Sequence, residues 1–206
     1  MTFLSARLRL RSRLYQLEQR VFDWRYGTDT TGITRAHYVD VDEEGRRRGT
    51  RYEATPRRAF HLMLRSVHLD YSRFTFIDLG CGKGAVLLYA SELPFRRIQG
   101  IEISRTLYQI AQANIHVYAS PRQRCKRVSV VCGDAATYLF PQDPLLLYLY
   151  NPFDAEILSR VFSNVRRSLL ERQREIVLIS ANPDAAFHFS ELEPSGPAPI
   201  AASPAE

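Results

Sequence analysis

Apolar and polar residues alternate along the middle of the chain in blocks that predict five strands separated by helices. The strand candidates are the short apolar runs "FTFIDLG", "RIQGIEI", "VSVVCGDA", "LLLYLYNP" and "EIVLISANP". The segments between them carry apolar residues at helical spacing, and Ser104 and Asp154 stand where N-caps of two helices are expected. Strands that alternate with helices of this length predict a parallel sheet covered by helices on both faces.

The chain before this alternating region has a different pattern. Leu10, Leu14, Leu17 and Val21 recur at i, i+4, i+7 and i+11, which predicts a helix whose apolar stripe covers the following domain, with docking on a membrane or a partner as the alternative. Residues 37–55 alternate and turn through a glycine, which predicts a hairpin. Thr55 is expected to cap the next helix, with Pro56 as its first residue and with His61 and His68 both on it.

These patterns divide the chain into three parts. Residues 1–55 form an N-terminal helix, loop and hairpin that we expect to act as a lid or cap. Residues 56–190 form the main domain. Residues 191–206 are rich in proline and alanine and poor in large apolar residues, so we expect a disordered tail.

Composition narrows the class of protein. The chain has 206 residues, 45% of them hydrophobic and 24% charged, as expected for one folded domain with appendages. No apolar run reaches the roughly 20 residues of a membrane-spanning helix. Cys81, Cys125 and Cys132 are an odd number without paired C-x-x-C spacing, which argues against a disulfide framework and a zinc site. We therefore expect a cytoplasmic protein with no bound metal.

The positive charge is concentrated near the N-terminus. The net charge of the chain is +6, and residues 1–25 contain six arginines against two acidic residues, a local charge of +4. Such a surface can attract nucleic acid or an acidic protein. It is also typical of a solvated protein surface, and the chain has no motif that reads a nucleic acid groove.

The segment "DLGCGKG", residues 78–84, is a glycine-rich loop between a predicted strand and a predicted helix. It does not fit the phosphate-binding pattern GxxxxGK[ST], because Gly84 follows Lys83, and it fits the dinucleotide pattern GxGxxG poorly. Asp78 stands at the end of the strand, where a carboxylate repels a pyrophosphate and attracts an ammonium or sulfonium group. The loop therefore favours a ligand that is cationic at one end, such as S-adenosylmethionine.

This segment resembles the first motif of the class I S-adenosylmethionine-dependent methyltransferases, D/E-x-G-x-G-x-G, in every defined position. The resemblance covers residues from about 50 to about 185. It implies a Rossmann-like, doubly wound, mostly parallel α/β sheet with strand order 3-2-1-4-5, here with an N-terminal helical and hairpin extension. Many family members add a sixth and a seventh strand, for which only "AFHFSEL" is a candidate here.

The resemblance also implies which residues hold S-adenosylmethionine. Glu102, followed by Ile103, ends the second strand and would bind the ribose hydroxyls. Asp134, followed by Ala135, ends the third strand and would reach the adenine amino group. The cofactor contacts implied in this region are Asp78, Gly80, Gly82, Gly84, Glu102, Ile103, Asp134 and Ala135.

The predicted acceptor site follows the fourth strand. Asn151, Pro152 and Phe153 resemble the [DNS]-P-P-[YF] motif of amino-methylating family members, with the second proline missing. The resemblance implies that Asn151 contacts the cofactor and accepts hydrogen bonds from an amine, and that Phe153 stacks on the acceptor. It predicts methyl transfer to an amine nitrogen of a protein lysine or another amino group.

A second, shorter resemblance concerns the lid. The segment from Tyr52 to Thr55 is similar to a Tyr-x-x-Thr element of the non-SET nucleosomal lysine methyltransferases, which closes over the cofactor and is accompanied by an Asn-x-Phe tripeptide. "YGTDTTG", residues 26–32, is predicted to join the same lid. The whole chain also resembles small bacterial methyltransferases of unassigned substrate.

Three alternatives remain open at the level of sequence. The acceptor could be a small molecule. A nicotinamide-dependent oxidoreductase uses a similar sheet. A non-catalytic basic adaptor would bind nucleic acid through residues 1–25. The sequence leaves the acceptor and the oligomeric state undetermined.

Overall fold

A five-stranded parallel sheet forms the centre of the protein in a computed structural model, which describes residues 3–31, 55–150 and 153–180, with side chains from Tyr15 onward. The strands are β1 (Thr75–Leu79), β2 (Arg97–Glu102), β3 (Val128–Cys132), β4 (Leu145–Leu149) and β5 (Ile176–Ser180). Their order is β3-β2-β1-β4-β5, and all four pairings are parallel. The predicted sheet and strand order are confirmed, and the switch in order lies between β1 and β4, where ligands of such sheets bind.

The described part of the chain contains five helices beside the sheet. They are α1 (Phe3–Tyr26), α2 (Arg57–Arg65), α3 (Ala85–Ala90), α4 (Arg105–Val117) and α5 (Ala155–Glu171), with a 3₁₀ turn at Tyr71–Arg73. The Ser104 hydroxyl accepts a hydrogen bond from the Leu107 amide, and the Asp154 carboxylate accepts one from the Ile157 amide. Both predicted N-caps are therefore confirmed.

The start of α2 differs from the prediction. Pro56 occupies the N-cap position in an extended conformation, and Thr55 makes no cap. The Thr55 hydroxyl instead accepts a hydrogen bond of 3.3 Å from the buried Tyr148 hydroxyl of β4. The helix ends at Arg65, so His68 lies beyond it, and the prediction of two histidines on one helix is wrong.

The two faces of the sheet bury different side chains. On one face, Phe76 and Tyr148 pack with Phe60 of α2, at ring-centroid distances of 5.6–6.0 Å from Phe60. On the other face, Ile77 and Leu147 belong to a core cluster completed by α5. Successive residues of β1 thus point into opposite layers, and both layers are buried. This explains why apolar and polar residues do not alternate along the strand.

Helix α1 contacts the domain through a different stripe from the predicted one. Residues 15, 19, 22 and 26 face the domain, and the Phe22 ring lies 5.2 Å from the Tyr89 ring and 5.8 Å from the Tyr118 ring. Leu17 and Val21 are exposed, so the predicted covering stripe is wrong for these residues. The packed stripe has the same spacing but supplies aromatic rings, which bury more apolar area against Tyr89 and Tyr118.

Several predictions concern residues outside the described ranges. These are the hairpin before Thr55, the "AFHFSEL" strand and the C-terminal tail. Among the helices that the structure describes, none is long and apolar enough to cross a membrane. The described residues also contain no cluster of side chains suited to hold a metal ion.

Candidate cofactor-binding site

The loop after β1 has a backbone that requires glycine. Gly80, Gly82 and Gly84 have φ angles of 79°, 54° and 81°, a region that other residues rarely adopt. The amides of Gly80 and Cys81 both donate hydrogen bonds to the Ile101 carbonyl of β2, at 2.9 and 3.1 Å. The predicted glycine loop is therefore a fixed turn that joins β1 to α3 and lies against β2.

The carboxylate of Glu102 supports this loop directly. It is buried at the end of β2 and accepts hydrogen bonds from the Gly82 amide at 2.8 Å and from the Ser104 amide at 2.9 Å. A carboxylate has about four acceptor positions, and two of those of Glu102 hold the backbone of the loop and of the turn before α4. Glu102 therefore lies where the resemblance places a ribose-binding carboxylate.

Asp78 is a second carboxylate at the same edge of the sheet, with only 4% of its surface exposed. Burial raises the pKa of Asp78 well above its usual range, and the neighbouring Glu102 raises it further. No described group offsets these two effects. A cationic ligand next to Asp78 would stabilise the charged form and lower its pKa again.

Gly100 on β2 is a site residue that the sequence reasoning missed. A Cβ atom at this position would lie 2.5 Å from the Cys81 sulfur and 2.8 Å from a Leu87 methyl carbon. β2 can therefore approach the glycine loop only with glycine at position 100. A lone glycine inside an apolar strand is the signal that could have indicated such a close approach.

Cys81 itself fills the space between the loop and β2. Burial raises the pKa of the Cys81 thiol well above its usual range, and the nearby Asp78 and Glu102 raise it further. The thiol therefore stays protonated near neutral pH and acts as a small apolar side chain. This agrees with the absence of thiol chemistry from the predicted mechanism.

Lys83 connects the glycine loop to the N-terminal segment. Its side chain is buried, and its ammonium group donates hydrogen bonds of 2.8 Å to the Asp29 carboxylate and to the Thr31 carbonyl. The sequence reasoning considered Lys83 only as a phosphate ligand and did not predict this contact. The structure describes residues 26–31 of "YGTDTTG", and Asp29 and Thr31 of this part contact the glycine loop through Lys83.

Asn114 on α4 holds the same two segments together. Its side-chain carbonyl accepts a hydrogen bond from the Asp29 amide at 2.7 Å. Its NH₂ group donates to the carbonyl oxygens of Asp29 and Lys83, both at 2.9 Å. Asn114 is buried on α4 and links the loop to the segment. We call Asp29, Lys83 and Asn114 the loop latch.

The segment of the latch is in turn ordered by Asp23 near the end of α1. One carboxylate oxygen accepts hydrogen bonds from the Thr28 hydroxyl and from the amide and hydroxyl of Thr30, at 2.7–2.9 Å. The other oxygen accepts one from the Thr31 amide at 2.9 Å. Four hydrogen bonds to one carboxylate therefore fix the turn that follows α1.

Asp134 follows β3 at the same edge of the sheet. Its carboxylate accepts a hydrogen bond from the Ala136 amide at 2.8 Å and lies 3.5 Å from the guanidinium of Arg160. Ile103 is exposed beside Glu102, whereas Ala135 is buried in the core. Asp134 and Ile103 thus lie at the predicted edge, and Asp134 also stabilises a turn.

The remaining predicted residues are described only in part. Tyr52, Asn151 and Pro152 lie outside the described residues. Phe153 is half-buried and packs against the core cluster on the α5 side of the sheet. Thr55 is buried, and its hydroxyl accepts a hydrogen bond from Tyr148, which stands opposite Asp78 in the pairing of β4 with β1.

Comparisons with known proteins concern the fold. No family model matches the chain, and no curated protein matches it. One similar solved structure is an S-adenosylmethionine-dependent methyltransferase from Methanosarcina mazei, at 17% identity and a TM-score of 0.39 over 46% of each chain. Another is the [4+2]-cyclase SpnF, at 22% identity and a TM-score of 0.42 over 55% of this chain and 40% of that one.

A third is geranyl diphosphate C-methyltransferase from Streptomyces coelicolor A3(2), solved with Mg²⁺, geranyl diphosphate and S-adenosyl-L-homocysteine. It is 15% identical, with a TM-score of 0.44 over 55% of this chain and 40% of that one. The match spans less than half the length of each of the three proteins. The strand order and the glycine loop after β1 show, independently of these matches, that the chain has a doubly wound, Rossmann-like fold.

Proposed function

We propose that this protein is an S-adenosylmethionine-dependent methyltransferase. The observation that carries the proposal is the pair of buried carboxylates, Asp78 and Glu102, near the ends of the adjacent strands β1 and β2 beside the glycine loop. An ionised carboxylate accepts hydrogen bonds but cannot donate them, and its negative charge repels phosphate groups. The site therefore suits a nucleoside with an ammonium and a sulfonium group better than a dinucleotide, which disfavours the oxidoreductase.

Each residue has a role in holding this cofactor. Asp78 would bind the ammonium group of its aminoacyl end. Glu102 would accept hydrogen bonds from the ribose hydroxyls while keeping Gly82 in place. Ile103 would cover one face of the adenine, and Asp134 would accept a hydrogen bond from its amino group. S-adenosylmethionine supplies an electrophilic methyl group, so the protein contributes mainly orientation and exclusion of water.

We propose an amine nitrogen as the methyl acceptor, with a protein lysine favoured. The support is the resemblance of residues 151–153 to an amino-methylating motif and their position in the chain. In the sequence they stand between the end of β4, which pairs with β1, and Asp154, which caps α5. Carbonyl oxygens there would accept hydrogen bonds from the amine and direct its lone pair toward the methyl group.

Calorimetric titration of the full chain tests the cofactor. We expect binding of S-adenosylhomocysteine and no binding of NAD(H). Glu102→Gln should weaken the affinity about tenfold or more, because a neutral amide replaces a charged acceptor. Glu171→Gln, which changes an exposed acid on α5, is the matched control and should bind normally. Binding of NAD(H) alone would reject the proposal.

A second experiment tests the acceptor. Cell extract is incubated with the protein and with cofactor labelled on its methyl group, and label is measured in protein, nucleic acid and small solutes. We expect label in protein at lysine, lost with Asn151→Ala. Label in small solutes would identify a small-molecule methyltransferase instead, and label in nucleic acid would also reject the protein acceptor.

A further inference from the structure

Helix α1 leaves one apolar face without a partner among the described residues. Trp24, Leu17 and Val21 are 87%, 58% and 53% exposed, although each is large and apolar. Leu62 of α2 is 64% exposed and lines the same groove as Leu17 and Val21. Four large apolar side chains on two adjacent helices form a patch of the kind that marks a binding surface. We call it the α1–α2 patch.

The patch continues a stripe that runs along α1. At 3.6 residues per turn, positions 17, 21 and 24 fall within an arc of about 60°. The stripe of residues 15, 19, 22 and 26, which packs on the domain, lies on another side of the helix. Helix α1 therefore has two apolar faces, and packing on the sheet uses only one of them.

Positive charge borders the exposed stripe on both sides. By the same helical spacing, Arg20 lies on one side and Arg25 on the other, and Arg58, Arg65 and Arg122 line the same groove as Leu17 and Val21. The only acidic residues of the helix are engaged elsewhere. Glu18 pairs with Arg58 of α2 at 3.0 Å, and Asp23 is bonded within the segment of residues 28–31. The surface around the stripe is therefore strongly cationic.

We propose that the α1–α2 patch docks on an anionic lipid bilayer, with α1 lying in the plane of the interface. An apolar stripe with a tryptophan and flanking arginines is the composition of such helices. Aliphatic side chains such as Leu17 and Val21 have no counterpart on a nucleic acid but can enter the acyl region. A second copy of the chain would bring like-charged arginine borders together. The charge of the patch is complementary to acidic headgroups.

The chain contains a reporter for this contact, because Trp24 is its only tryptophan. Full-length protein is mixed with vesicles of phosphatidylcholine alone or of phosphatidylcholine with phosphatidylglycerol. We expect a blue shift of Trp24 emission with the anionic vesicles only, quenching by lipids brominated on the acyl chain, and release at high salt. These signals report insertion of this face, independently of any enzymatic activity.

Two variants and a control separate the apolar and electrostatic contributions. Leu17→Glu should weaken vesicle binding by about tenfold or more, because it removes apolar contact and adds an acidic group. Arg20→Gln should weaken it about fivefold. Leu170→Glu changes a comparably exposed leucine, 71% exposed on α5, and should leave binding unchanged. Far-UV circular dichroism verifies that each variant is folded.

Defined results would overturn the proposal. An unchanged emission spectrum with anionic vesicles would do so, as would equal binding to neutral vesicles. Equal weakening by Leu17→Glu and Leu170→Glu would show that this face is not involved. Concentration-dependent dimers that bury Trp24 would identify a second copy as the partner, and a blue shift with RNA or an acidic peptide but not with vesicles would identify those partners.

Discussion

The ionised form of Asp78 is unfavourable in the free protein, and a bound cation would stabilise it. Its carboxylate is buried at the end of β1, and both burial and Glu102 raise its pKa. Between its ordinary and its raised pKa, the folded protein holds a proton that the unfolded chain has released. The free energy of unfolding of the unliganded protein therefore falls as the pH rises through this range. Binding of a cation should reverse this effect.

Asp78→Asn should accordingly stabilise the free protein while it impairs binding. We expect a higher melting temperature near neutral pH, with the gain disappearing as the pH is lowered and the native carboxyl becomes protonated. The affinity for S-adenosylhomocysteine should fall roughly tenfold to a hundredfold, since a charge-assisted contact is lost. Thermal denaturation across pH and calorimetric titration measure the two effects. Lower stability of the free variant at neutral pH would contradict this account.

Gly100→Ala tests the close approach of β2 to the glycine loop. The added Cβ would lie within 3 Å of both Cys81 and Leu87, so we expect a loss of about 1–3 kcal/mol in the free energy of unfolding. Gly133→Ala is the matched control, because its nearest neighbour would be 4.0 Å away. Urea denaturation measures both variants. Equal stability of the two would show that the loop can move away at little cost.

At the scale of elements, the loop latch joins three parts of the chain that are far apart in sequence. Asp29 follows α1, Lys83 lies in the glycine loop and Asn114 is on α4. The Lys83 ammonium is buried, whereas Asp29 is largely exposed. Loss of the ion pair would therefore leave a buried charge unpaired at Lys83, whereas Asp29 would remain solvated. The latch makes the position of the glycine loop depend on the N-terminal segment.

Asn114→Ala should release this segment. Three hydrogen bonds are lost and their backbone partners are left unsatisfied, so we expect a loss of about 2–3 kcal/mol in the free energy of unfolding. Amide hydrogen exchange at Asp29 should become faster, and cofactor affinity should fall. Gln112→Ala, an exposed position on the same helix, is the control. Unchanged exchange at Asp29 in Asn114→Ala would show that the other contacts suffice.

The same elements show what could be predicted from the sequence. The five strands follow from local periodicity, and the observed sheet confirms them. The caps at Ser104 and Asp154 follow from local hydrogen bonding, and the hydrogen bonds to Leu107 and Ile157 confirm them. The face of α1 could not be chosen, because two stripes have equal spacing and only Tyr89 and Tyr118 distinguish them. Lys83 and Asp29 are 54 residues apart, so no local pattern relates them.

At the scale of the whole molecule, binding of the cofactor at the candidate site should stabilise the folded state against unfolding. A ligand that binds only the folded state at 100 times its dissociation constant stabilises it by about 2.7 kcal/mol. For a chain of this size we expect S-adenosylhomocysteine to raise the melting temperature by roughly 5–10 °C. NAD(H) at the same concentration should have no effect, and calorimetry measures both. Stabilisation by NAD(H) alone would indicate the oxidoreductase.

The exposure of Trp24 also determines how unfolding of this protein can be followed. The indole is already surrounded by water in the native state, so its emission maximum should change little when a denaturant unfolds the chain. Tyr89 and Tyr148, by contrast, are wholly buried, and their near-ultraviolet circular dichroism should disappear with the core. Tryptophan fluorescence alone would therefore fail to detect a cooperative unfolding transition.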